Sequence, residues 1–138
     1  MKKILLLLLV ATFSVVSCSK DDDNSSVDPL IGTWKYYKFF SNEEEFPLDD
    51  CEKTSTLKIN SNGTFESNYF FDNGTSCESG GVSTGFWENT GNNVYKITSD
   101  PETVDEEIGL YTFTFEGNTF SFVETDGTET YTTVYIRS

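Results

Sequence analysis

The chain has 138 residues, with 23 acidic against nine basic side chains and a formal charge of −14 at pH 7. So negative a surface repels phosphate backbones and argues against nucleic acid as a partner. Histidine is absent, which leaves the cysteines without the usual company of a metal site, and 15% aromatic residues mark a folded domain rather than a disordered acidic chain.

Lys2 and Lys3 precede a largely apolar run from Ile4 to Val16, the order of a secretory signal peptide. The run is shorter than the roughly 20 apolar residues of a spanning helix. Val15-Val16-Ser17-Cys18 resembles the lipobox of bacterial lipoproteins, whose cysteine is acylated and becomes the first mature residue. Ser19-Lys20-Asp21-Asp22-Asp23 looks like the acidic surface-export signal of Bacteroidota lipoproteins. The resemblance implies a signal peptide over 1–17, lipid attachment at Cys18, and display at the outer membrane, on the cell surface. Acyl chains added to diacylglycerol hold a protein at a membrane without any spanning helix. Residues 18–28, polar and free of aromatics, read as a flexible tether. Loss of the leader removes two lysines and no acid, so seven basic side chains face 23 acidic ones, a formal −16. What remains is one domain's worth of chain, residues 29–138.

Asp28 and Pro29 suit the cap and first position of a short helical turn. Beyond Gly32 the apolar residues recur with period two, which predicts strands over 33–41, 54–60, 64–71, 82–89, 93–98, 108–116, 119–124 and 129–137. Asn62-Gly63, Gly91-Asn92, Gly117-Asn118 and Asp126-Gly127 supply the positive φ of tight hairpin turns. The longer connectors, 42–53, 72–81 and 99–107, hold Pro47 and Pro101, so proline stays out of the strands. In an up-and-down order these three connectors share one end, and every connector at the other end is tight. That order brings Cys51 and Cys77 together, and an oxidising compartment predicts a disulfide between them rather than a metal site or a nucleophile. Eight antiparallel strands predict a closed, monomeric barrel without free edges.

Gly32-Thr33-Trp34, opening the first strand after a turn, resembles the G-x-W signature of lipocalins, and Arg137 resembles the terminal arginine that packs on that tryptophan. A second Gly85-Phe86-Trp87 lies on the fourth strand. The resemblance implies an all-β, eight-stranded up-and-down antiparallel barrel that is lipocalin-like. It also implies closure of the tight end by Trp34 and Arg137, and a small ligand at the mouth. The chain is shorter than true lipocalins and has no C-terminal helix.

Catalytic motifs fail on context. Gly81-Val82-Ser83-Thr84-Gly85 matches a nucleophile elbow, which requires a strand-to-helix turn and a histidine base. Ser55-Thr56-Leu57-Lys58 lies in an alternating strand without companion motifs, and the NSNGTFE stretch at 60–66 reads as a hairpin rather than a calcium loop. Carboxylate pairs read as solvated surface. No catalytic residue, metal or cofactor is expected. Phe65, Trp87, Tyr95, Tyr111 and Phe113 are the candidates to line a pocket for a small apolar or planar ligand. An eight-stranded barrel is only just wide enough for side-chain filling or one such ligand, so a mostly filled core with a shallow pocket at the mouth is expected. Thirteen acids on the long connectors, from Glu43 to Glu107, with Lys53 as the only nearby base, crowd that mouth. Their field favours a neutral or cationic ligand, or a protein partner with a basic face. Two functions follow: a surface-anchored carrier of a small ligand, or an interaction lipoprotein whose loops meet a partner over a filled scaffold.

Overall fold

The computed structural model describes residues 27–138; the signal peptide, the lipobox and Cys18 lie outside the described residues. Ten strands follow in chain order: β1 (Gly32–Ser41), β2 (Glu44–Phe46), β3 (Thr56–Ile59), β4 (Thr64–Asp72), β5 (Cys77–Gly91), β6 (Val94–Ser99), β7 (Glu107–Thr112), β8 (Thr114–Glu116), β9 (Thr119–Asp126) and β10 (Glu129–Arg137). All pair antiparallel in one sheet of order β7-β6-β5-β4-β3-β1-β10-β9-β8, with β2 attached to β1 alone. Apart from the β1–β10 pair, each strand on the path lies beside its neighbour in sequence, as an up-and-down meander requires.

The count is ten rather than eight for two local reasons. Glu44–Phe46 folds back on β1 as a short hairpin arm, turned by Asn42 and Glu43 at φ 49° and 70°. The sixth predicted run breaks at Phe113, whose side chain is buried and whose backbone N–H donates to the Asn93 carbonyl at 2.9 Å. The residues before the break pair with β6 and those after it with β9. The expected closed barrel is therefore not formed: the hydrogen-bonded path ends at β7 on one edge and at β8 on the other. Aromatic packing spans the seam instead. Tyr111 meets Phe122 edge-on at 5.4 Å between centroids, and Phe113 lies 5.6 Å from Phe122 and 5.1 Å from Phe120.

The tight end is plugged. Asp28 caps the predicted turn through Leu30 N–H at 2.9 Å, and Ile31 N–H donates to the Asp28 carbonyl. This seats Leu30 in the core with Trp34, Ile59, Phe65, Tyr95, Phe113 and Phe120. The Trp34 indole donates to the Leu30 carbonyl at 2.8 Å and meets Phe120 edge-on. The Arg137 guanidinium lies over the indole at 4.1 Å and donates to the carbonyls of Ile31 and Pro29. Gly32 makes room: a Cβ there would stand 2.4 Å from an Arg137 nitrogen, and its φ of 147° suits glycine alone.

At the opposite end Cys51 and Cys77 form a disulfide with Cα atoms 5.5 Å apart. The connector between β4 and β5 is shorter than predicted, because β5 starts at Cys77. Asn73 closes it within four residues, its side-chain oxygen accepting from the backbone of Thr75 and Ser76.

Candidate functional site

The core fills only the plugged half of the sheet's interior. Above it, the inner positions of three neighbouring strands hold small residues: Ser67 on β4, Ser83 and Gly85 on β5, and Ser99 on β6. Ser67 pairs directly with Ser83, and Gly85 with Ser99, so the small residues form one wall. Gly85 cannot be larger, since a Cβ would lie 1.9 Å from the Thr98 carbonyl oxygen and 2.7 Å from the Phe65 ring. Across from that wall stand Tyr111, Phe122 and Tyr135. The space left between them is a cavity of about 230 Å³ reaching down to Leu30, Ile59 and Phe113. It is deeper than the shallow depression expected, because serines occupy inner positions that aromatics would have filled.

A second chamber of about 270 Å³ adjoins the first, and the two share Ser67, Phe122, Glu124 and Tyr135. Its further walls are more polar, from Tyr36, Ser55, Thr56, Asn68, Tyr69 and Thr133. Tyr36 and Tyr135 lie 5.8 Å apart, centroid to centroid. Burial, helped by Glu124, pushes the Tyr135 phenol up to about 12. Tyr36 is raised further, by burial first and then by Tyr135 and Glu52. Tyr111 is raised by burial and by Glu124 and Glu107. The phenols of the site are therefore uncharged at neutral pH, and the Glu124 side chain lies beside them. Among the described residues, no lysine or arginine lines either chamber.

Of the five residues expected to line a pocket, Phe65, Tyr111 and Phe113 do so. Trp87 and Tyr95 do not. The Trp87 indole donates to the Asn60 carbonyl at the tight end. Tyr95 is fully buried, and its hydroxyl donates to Asp28 at 2.9 Å beside the Asn89 amide. Both hold the plug and sit one or two residue pairs below the serine wall.

Among the lining residues that the sequence did not offer as pocket candidates are Ser67, Ser83, Ser99, Glu124 and Tyr135. Period two carried one step beyond Phe120 and Phe122 would have reached Glu124. The long connectors do gather at the open end, and a second base stands there: Lys38 pairs with Glu45 at 3.3 Å, as Lys53 does with Asp50. Ser83 of the elbow-like motif lies within β5 and donates to Asp100 at 2.9 Å. That context is a strand and not a nucleophile elbow.

An antiparallel meander with one plugged end and one hollow end is the architecture of a small lipocalin-type domain. The family model described as a lipocalin-like domain matches residues 30–122, and the chain belongs to that family. No match is found among curated proteins, and none among solved structures.

Proposed function

We propose that this protein is a lipid-anchored binding module that holds a small neutral or cationic ligand in the open-end cavity. The observation that carries the reading is the serine wall, which leaves an aromatic-sided space where the same strands could have packed solid. Such concave, mainly apolar sites with a few placed polar groups are where small ligands are held. Anchoring rests on the lipobox at Cys18 and display at the cell surface on the acidic stretch after it. The described chain begins at the plugged end, opposite the cavity mouth, which supports a mouth that faces away from the membrane. The domain acts as a monomer and by binding, without a catalytic step.

Native mass spectrometry of protein isolated from its own host tests the cavity: a bound small molecule appears as added mass, and its absence in every preparation counts against a carrier. Cys18→Ser should abolish membrane partitioning and processing; a variant still found acylated in the membrane fraction overturns the anchor.

A second reading, a protein partner with a basic face, draws on the exposed Phe46, at 49% of its full accessibility, beside the acids of the β2 arm. Phe46→Ala would weaken such a partner and leave a cavity ligand untouched.

A further inference from the structure

The two chambers differ in kind, and Glu124 stands where they meet. The inner chamber has its serines along one wall and is otherwise mainly apolar, with Leu57, Ile59, Phe65, Ile97 and Phe113 at its sides and floor. The outer one carries three phenol rings, from Tyr36, Tyr69 and Tyr135, together with hydroxyl and amide groups. Glu124 on β9 pairs in register with Tyr131 and lies on the same inward-facing row as Phe120 and Phe122. It makes neither a salt bridge nor a side-chain hydrogen bond among the described residues. The bases that the described residues do hold are committed elsewhere or lie on outer strand positions: Lys38 to Glu45, Lys53 to Asp50, and Arg137 to the plug.

We propose that the paired chambers take an amphipathic amine, its apolar body in the inner chamber and its ammonium group beside Glu124 among the phenol rings. This rests on the ligand-binding reading above and names the chemistry of that ligand. A ring face attracts a cation through its quadrupole, and tyrosines lining a chamber together with a carboxylate offer an ammonium group two attractions that a neutral head group lacks. An anion is disfavoured twice, by the exposed Glu124 at the junction of the chambers and by the acids of the rim. A metal ion would meet one carboxylate among neutral hydroxyl and amide groups, too little charge for a hard cation. Glu52 extends the same polarity, accepting from the Tyr69 hydroxyl at 3.4 Å.

Three probes with one body and different heads test this: 2-phenylethylammonium, 2-phenylethanol and phenylacetate, titrated calorimetrically into the intact chain in lipid nanodiscs, with empty nanodiscs subtracted. The ammonium is expected to bind at least tenfold tighter than the alcohol, which is about 1.4 kcal/mol, and phenylacetate to bind least. Glu124→Gln should cancel that tenfold preference and leave the alcohol's affinity and the melting temperature unchanged. Ser67→Phe, which intrudes on both chambers, should weaken all three probes. Equal binding of alcohol and ammonium to the unmodified protein, or a preference that survives Glu124→Gln, overturns the amine while leaving a neutral-ligand cavity standing. Ammonium binding that persists in Ser67→Phe places the charge contact on the surface and overturns the proposal as well. No binding of any probe removes the cavity reading and the amine together.

Discussion

At the scale of single residues, the plug is the most demanding place in the molecule. Gly32 combines a backbone angle that side chains avoid with a gap that the Arg137 guanidinium occupies. Gly32→Ala should therefore cost about 1–3 kcal/mol, the usual range for one strained backbone position, read as a lower urea midpoint with unchanged slope. Arg137→Ala should lower the melting temperature and shift Trp34 emission, since the guanidinium over the indole is worth about 0.5–2 kcal/mol; a variant with neither change would speak against the contact. Both residues were legible from sequence because a motif and a strand count pointed to the same end. Glu124 and the serines were not. An acid near the end of a strand looks like any solvent-facing acid, and a serine between aromatics looks like an outward position until the register is known. A cavity is made of side chains that are missing, and a sequence advertises the ones that are present.

At the scale of elements, the disulfide ties the connector between β2 and β3 to the start of β5 at the open end. Cys51 and Cys77 are 26 residues apart, and a cross-link closing a loop of that length contributes about 3–4 kcal/mol on the chain-entropy account. A Cys51→Ser/Cys77→Ser double variant should lose stability of that order in urea unfolding while keeping the Trp34 environment at the far end. The strand pattern itself was legible because period two survives in every run. Two features escaped it. The β2 arm is three residues long and reads as loop, and the break at Phe113 leaves the alternation of Tyr111, Phe113 and Phe115 intact while changing the partner strand from β6 to β9. Periodicity reports which face a residue takes; it does not report which strand lies beside it.

Taken whole, the molecule is acidic outside and phenolic within, and this fixes its response to alkali. Tyr36, Tyr95 and Tyr135 all sit above the ordinary tyrosine value of about 10, each first because burial disfavours the phenolate; Asp28 adds to this at Tyr95, and Glu124 at Tyr135. A phenol that holds its proton more tightly when folded stabilises the fold fully below its unfolded value and ceases to do so as pH rises through its folded value. Stability should therefore be flat toward neutrality and fall between about pH 10 and 12, where the unfolded tyrosines ionise before the Tyr135 phenol does. Melting temperature followed against pH, beside tyrosinate absorbance, checks this; a fall that begins near neutrality would need another cause. Tyr95→Phe should be the less stable protein below pH 10, because Asp28 then loses a hydrogen bond at 2.9 Å.

The seam between β7 and β9 bears on how large a guest the domain can admit. Elsewhere around the mouth, moving two strands apart means breaking a ladder of backbone hydrogen bonds. Along the seam, ring contacts take the place of a backbone ladder among the described residues, and the chain itself, where β7 gives way to β8 at Phe113, serves as the hinge pin. The wall on that side can swing outward at the expense of aromatic packing, so tolerance for bulk should be greatest next to Tyr111 and Phe122. Hydrogen–deuterium exchange gives the measure: amides of Glu107–Thr112 on the open edge should exchange faster than those of Gly32–Ser41, which is paired on both sides. A bulkier occupant should widen that difference rather than loosen the β1–β10 pair.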